Sequence, residues 1–280
     1  RNASMQPSRL SFAYQHTPQL IRHATHRAHY SQRHKKLINH IGRGLAASQL
    51  FSIMALASDS HCSSSAVSEK YLGAVRGAFV ADAASMGLHW IYDPAKLKNL
   101  VDSSTTMDPA FFEPPSCPFY QYTSGKLSPY GAEGLSILRS LSSSETVTPD
   151  QLATDLGSYI DAYDGYKNHA SKTLIANLAA GKKYPECGAD DSQANCLVKV
   201  PIAVARYAGA PDFLSKVEET IRAHQNNDKA VRYGVAAALL LDHIAQGSSV
   251  QDALAWAVAP DSPIDAETRR ELADAAAADT

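Results

Sequence analysis

The stretch VSEKYLGAVRGAFVADAASM, residues 67–86, decides the fold class. Leu72, Val75, Phe79 and Met86 recur at steps of three, four and seven, the spacing of one apolar stripe on a helix. Gly73, Gly77, Ala81 and Ser85 follow at four-residue steps beside that stripe. Their smallness predicts a face on which a second helix packs closely. Asp82 stands among alanines in this apolar setting, so its carboxylate must be paired or hydrogen-bonded.

The same period continues downstream. Thr148-Pro149-Asp150-Gln151 is a helix start, with a Thr cap, Pro at the first position and Gln three residues on, as in a capping box. Leu152, Leu156, Tyr159, Ile160 and Tyr163 then line one face. Further helices are predicted over 170–180, stopped by Gly181, and over 194–208, kinked at Pro201. Others follow over 212–224, over 228–246 with Asn227 as cap and Gly247 as stop, over 249–257 and over 266–278. No alternating strand pattern appears, and no internal repeat. Residues 94–131, rich in Pro, Ser and Tyr, read as one long irregular connection before a helix over 135–141. The expected architecture is an all-α orthogonal multi-helix bundle in one domain, residues 66–280.

Composition agrees with a packed core. Apolar residues are 45% and charged residues 19% of the 280, which excludes wholesale disorder. A net charge of −2 argues against a general nucleic-acid partner. No apolar run reaches the roughly eighteen residues of a membrane span, so no membrane partner is expected. Cys62, Cys117, Cys187 and Cys196 are scattered and form no C-x-x-C pair, which speaks against a disulfide scaffold or a structural zinc site.

The average charge hides an asymmetry. Residues 1–58 hold six Arg, two Lys and six His and no acid, a charge of +8 with His neutral; the remainder carries −10. Three readings of that opening stay side by side. It has the composition of an organelle transit segment, which would place the protein in a mitochondrion or plastid. It is equally read as upstream sequence ahead of a natural start at Met54, or part of a fragment, with a cytoplasmic protein following. A basic arm for RNA is the third, though interleaved aromatics and Gly are lacking. Residues 1–60 are therefore set apart as a basic extension, with a short amphipathic helix near 37–53.

Four polar segments could carry chemistry. The first, residues 81–94, holds Asp82 and then His89 and Trp90; Asp82 lines a pocket or else anchors a neighbouring loop. The second, residues 123–134, is a polar loop that brings Tyr130 and Glu133 to a helix start, where the dipole favours an anion. The third, residues 188–200, holds Asp190 and Asp191, which could cap a helix or bind sugar hydroxyls, with Asn195 and with Lys199, a buried cation or a snorkelling side chain. The fourth is His224-Gln225-Asn226-Asn227-Asp228, a polar turn between helices. There is no Gly-rich phosphate loop, H-E-x-x-H or G-x-S-x-G.

Taken in order, these segments resemble the ADP-ribosylglycohydrolase superfamily, and most closely its J-type crystallin-like branch. The resemblance is carried by residues 73–93 with their HWIYD, by FYQYTSGKLSPYGAEGLSILRSL, by QANCLVKVPIAVARYAG and by QNNDKAVRYGVAAALLL. It implies an all-α fold with a cleft between helices. It also implies two magnesium or manganese ions that help cleave the bond between ADP-ribose and an amino-acid side chain. On that basis Glu133 is the candidate catalytic carboxylate, and Glu133 with Asp82 the candidate metal ligands. Tyr130, Asp190, Asp191, Asn195, Gln225 and Asn226 are the candidate contacts to ADP-ribose or an ADP-ribosylated substrate.

The sequence also departs from the family pattern. Active hydrolases carry Thr-Asp-Asp-Thr where Gly131, Ala132, Glu133 and Gly134 stand here. The family's second metal element, Asp-x-Asp-Thr, would lie beyond Asp274, so the domain reads as truncated at its C-terminus. Its His-rich turn is altered to Gln225-Asn226-Asn227. Two functions follow: a hydrolase of ADP-ribosyl bonds with a degenerate metal motif, or a non-catalytic structural or ADP-ribose-binding protein.

Overall fold

The computed structural model describes residues 65–105 and 108–278. The basic extension and the helix expected near 37–53 lie outside the described residues. Among the described residues there are ten α-helices and no strand; one isolated parallel bridge joins Ala189 to Gln225. The fold is all-α.

Helix α1 spans Ser65–Ser85. Leu72, Val75 and Phe79 are buried on one side of it, and a 3-10 turn, Met86–Leu88, buries Met86 at its end. The small-residue face is a correction. Gly73, Gly77, Ala81 and Ser85 are exposed, and a methyl group added at Gly73 or Gly77 would meet nothing within 4 Å. The apolar stripe alone makes the packing surface, because burial follows apolar area rather than small volume.

The irregular stretch also needs correcting. Helix α2, Pro94–Ser103, lies inside it, with the Asp93 carboxylate accepting from the backbone of Ala95 and Lys96. Asp93-Pro94 is the same cap-plus-proline signal as Thr148-Pro149. Helix α3, Pro129–Leu141, starts six residues before the expected 135, capped by Ser128. Glu133 is thus one turn inside the helix rather than at its start.

Helix α4, Pro149–Ala162, is capped by Thr148 as expected, but the capping box is not closed, since Gln151 donates to Asp155 instead. Helix α5, His169–Ala179, begins at an Asn168 cap and ends near Gly181, whose φ is +80°. Pro201 divides its segment rather than kinking one helix: a 3-10 turn, Ala194–Lys199, precedes α6, Val200–Tyr207, in which Pro occupies the tolerated first turn. Helix α7 is Phe213–Arg222, and α8, Asp228–Ala245, is capped by Asn227. Helices α9, Val250–Val258, and α10, Ala266–Ala278, complete the described chain.

Helix α3 packs on α4, α4 on α5, α1 on α6, and α6 on both α7 and α8. Their shared core includes Phe79, Ile137, Leu156, Leu174, Ile202 and Ile221. A smaller cluster joins Met86, Cys117 and Tyr120 beneath Trp90, and a third sits between α8, α9 and α10. No described helix is long and apolar enough to cross a membrane.

Candidate functional site

Three connections meet where the 3-10 turn before α6 lies against α3, α7 and α8. The turn after Cys187 is tied to the turn after α7 by Ala189 N–H donating to the His224 carbonyl, 2.8 Å. That bond sets Asp190, Asp191 and Asn195 beside Gln225 and Asn226. Glu133 reaches the same region from α3.

Glu133 is 1% exposed. Its Oε1 accepts from Asn168 Nδ2 and from Ser171 Oγ, each at 2.6 Å. Asn168 reaches it because it caps α5: the side-chain oxygen takes the Ser171 amide, which turns the amide nitrogen toward α3. The Ser171 hydroxyl lies 3.2 Å from His224 Nε2. On the other side, Glu133 Oε2 and His224 Nδ1 face each other at 3.7 Å, and neither has a hydrogen-bond partner.

Lys199 is fully buried, so its side chain does not snorkel to solvent. Its ammonium donates to the Asn195 carbonyl at 3.3 Å and to Gln225 Oε1 at 3.4 Å. Gln225, also fully buried, donates through Nε2 to the carbonyls of Asp191 and Gln193, both at 2.9 Å.

The electrostatics follow from burial. Desolvation pushes the Glu133 carboxyl up, opposed by the Lys199 charge and the bonds from Ser171 and Asn168. Desolvation pulls Lys199 down, opposed by Glu133. His224 is held well below the usual histidine range by burial and then by Lys199, so its imidazole is neutral. Which ring nitrogen of the neutral imidazole carries the proton decides whether Nε2 donates to or accepts from the Ser171 hydroxyl.

The expected residues fall into three groups. Glu133, Asp191, Asn195 and Gln225 share the interior cluster. Asp190 and Asn226 lie on its rim, where Asp190 accepts from Asn227 at 2.6 Å and Asn226 accepts from Arg222 at 2.8 Å. Asp82 and Tyr130 belong to an adjoining group. Asp82 accepts from the Ser128 amide at 2.8 Å and its hydroxyl at 2.5 Å, which ties α1 to the cap of α3. Burial raises its carboxyl pKa. Tyr130 packs edge-on against Trp90, at 5.8 Å between ring centroids. Trp90 also meets Phe119, Tyr120 and Tyr166, and holds a φ of +59° to do so.

Asn168, Ser171 and Ser128 are the residues that the sequence reading missed. Each looks like an ordinary helix cap or first-turn residue, and only tertiary contact reveals its second bond.

The residues present do not fit the divalent pair that the resemblance implies. A hard cation takes about six oxygen ligands. Here residue 132 is Ala, one Glu133 oxygen already accepts two donors, and both Asp82 oxygens are engaged by Ser128. Among the described residues no three His, Cys, Asp or Glu side chains gather as a metal-binding group.

Comparison with known proteins agrees with this architecture. Residues 63–280 match the family profile described as ADP-ribosylglycohydrolase. Crystallin J1B of Tripedalia cystophora is 26% identical over 203 residues, covering 65% of this chain and 60% of the relative. Crystallin J1A of the same organism is 26% identical over 204 residues with the same coverage. The chain therefore spans about 60% of the length of these relatives. No solved structure matches.

Proposed function

The chain belongs to the ADP-ribosylglycohydrolase family, and from that premise we propose that it is a non-hydrolysing member, a structural or ADP-ribose-binding protein. The carrying observation is the state of Glu133, 1% exposed with one oxygen holding two internal donors. A catalytic carboxylate has to reach the reacting group or its water. This one is instead spent on joining α3 to α5. Ala132 beside it supplies no second carboxylate. The family's substrates are ADP-ribosylated, so an ADP-ribosyl group is the ligand class for the rim residues Asp190 and Asn226 and for Tyr130. The relatives that bear the name crystallin are compatible with a protein kept for its folded body.

A hydrolase of ADP-ribosyl bonds is the second reading. One observation favours it: Glu133 Oε2 and His224 Nδ1 are buried, close and unpartnered. Incubation of the full chain with ADP-ribosyl-arginine and ADP-ribosyl-serine peptides separates the two, with magnesium or manganese supplied. Release of ADP-ribose no faster than in the protein-free blank is expected. Turnover of either peptide would establish the hydrolase instead.

A further inference from the structure

We propose that the exposed apolar stripe of α9 is the docking surface for the chain's own basic extension: residues 37–45 lie along Val250, Leu254 and Val258, with their Lys and Arg facing the acidic end of the body.

Val250, Leu254 and Val258 are 53%, 50% and 38% exposed. Steps of four put them on one face of α9, and exposed Ala255 lies beside them. Ala253 and Ala257, on the opposite face, are fully buried. Among the described residues the other large apolar side chains so exposed are Tyr92, Phe119 and Leu214, far from α9 in sequence. Scattered apolar residues need no explanation, but three in a row on one short helix form a patch that wants a cover.

Three observations select the occupant. The first is where the extension joins the body, at the start of α1, Ser65. Tyr71, six residues on, donates to Asp242 at 2.5 Å and accepts from Gln246 at 3.0 Å. Those two residues end α8, and Val250 opens α9 four positions later. The beginnings of α1 and α9 are therefore neighbours. Residues 46–64 connect the docking segment to α1, and at about 3.3 Å per residue they can span several times the roughly 13 Å length of α9.

The second is charge. Residues 1–58 hold six Arg, two Lys and no acid. Residues 233–268 run from α8 through α9 into α10 and hold Asp242, Asp252, Asp261, Asp265 and Glu267, with no Lys or Arg. Arg232 meets Asp265 and Glu267. Asp252 and Asp261, exposed toward the two ends of α9, are the carboxylates that a cation from the extension can reach. The third is spacing. Leu37, Ile41 and Leu45 recur at the same steps of four as Val250, Leu254 and Val258, with Lys35, Lys36 and Arg43 among them. A helix this short is marginal alone in water, and burying its apolar stripe against α9 supplies what it lacks.

The docking is independent of the ADP-ribosyl reading. The eighteen residues of α8, about 27 Å of helix, separate its Asn227 cap beside the Glu133 cluster from the turn into α9. Hydrogen exchange of the full chain is compared for the wild type, Leu254→Asp and Ile41→Asp. Leu254 is half exposed and residue 41 precedes α1, so neither change removes a core contact. Residues 37–45 are expected to exchange at least tenfold more slowly in the wild type than in Leu254→Asp. Residues 250–258 are expected to exchange several-fold faster in Ile41→Asp than in the wild type. Exchange of residues 37–45 at the rate of an unprotected peptide in the wild type would overturn the proposal, as would a substitution on either side that leaves the other side unchanged. A second copy of the chain is the competing occupant. A dimer in sedimentation that Leu254→Asp dissociates and Ile41→Asp does not would likewise overturn it.

Discussion

Gly131 and Gly77 look alike as residues, each a glycine inside a helix, and the structure gives them opposite roles. A Cβ on Gly131 would lie 2.2 Å from Asp82 Oδ2 and 2.7 Å from Asp82 Cγ. That carboxylate cannot swing aside without losing both bonds from Ser128. A Cβ on Gly77 would meet nothing within 4 Å. Gly131→Ala should therefore destabilise by about 1–3 kcal/mol through overpacking. Gly77→Ala should stabilise by about 0.5–1 kcal/mol, since only the helix-interior cost of glycine is removed. Urea denaturation of both variants checks this, and shifts of the same sign would contradict the geometry. The four-residue spacing of small residues could not show the difference, because it gives the face but not what lies against it.

At the scale of an element, the helices were legible where a local signal sets them. Asn227 accepts from the amides of Lys229 and Ala230 at 3.0 and 3.1 Å and opens α8 as its position suggests. Asn227→Ala should cost about 0.5–2 kcal/mol in chemical denaturation, and Asn227→Asp much less. Equal losses would mean that the bond to Asp190, not the cap, is what Asn227 provides. Thr148-Pro149 was equally readable. Asp93-Pro94 carries the same signal, but the Pro- and Ser-rich run after it obscured α2. Pro201 was seen, but whether a proline kinks a helix or begins one depends on the preceding turn, which is 3-10 here. The site was legible only as separate segments. Lys199 in an apolar run fits a snorkelling side chain and a buried one equally well until its exposure is known. The second bonds of Asn168 and Ser171, which hold Glu133, depend on α5 lying beside α3.

At the scale of the whole molecule, one buried polar cluster fastens α3, the cap of α5, the turn after Cys187, the 3-10 turn and the turn before α8. Helices α9 and α10 stand apart, packed on α8 and on each other. Breaking the cluster at one residue should loosen all of its turns together and leave that far end alone. Backbone hydrogen exchange of Glu133→Ala against the wild type tests this most directly. Faster exchange is predicted at once over residues 168–171, 189–195 and 224–226, with α9 and α10 keeping their wild-type rates. Acceleration confined to α3, with the distant turns unchanged, would contradict the account.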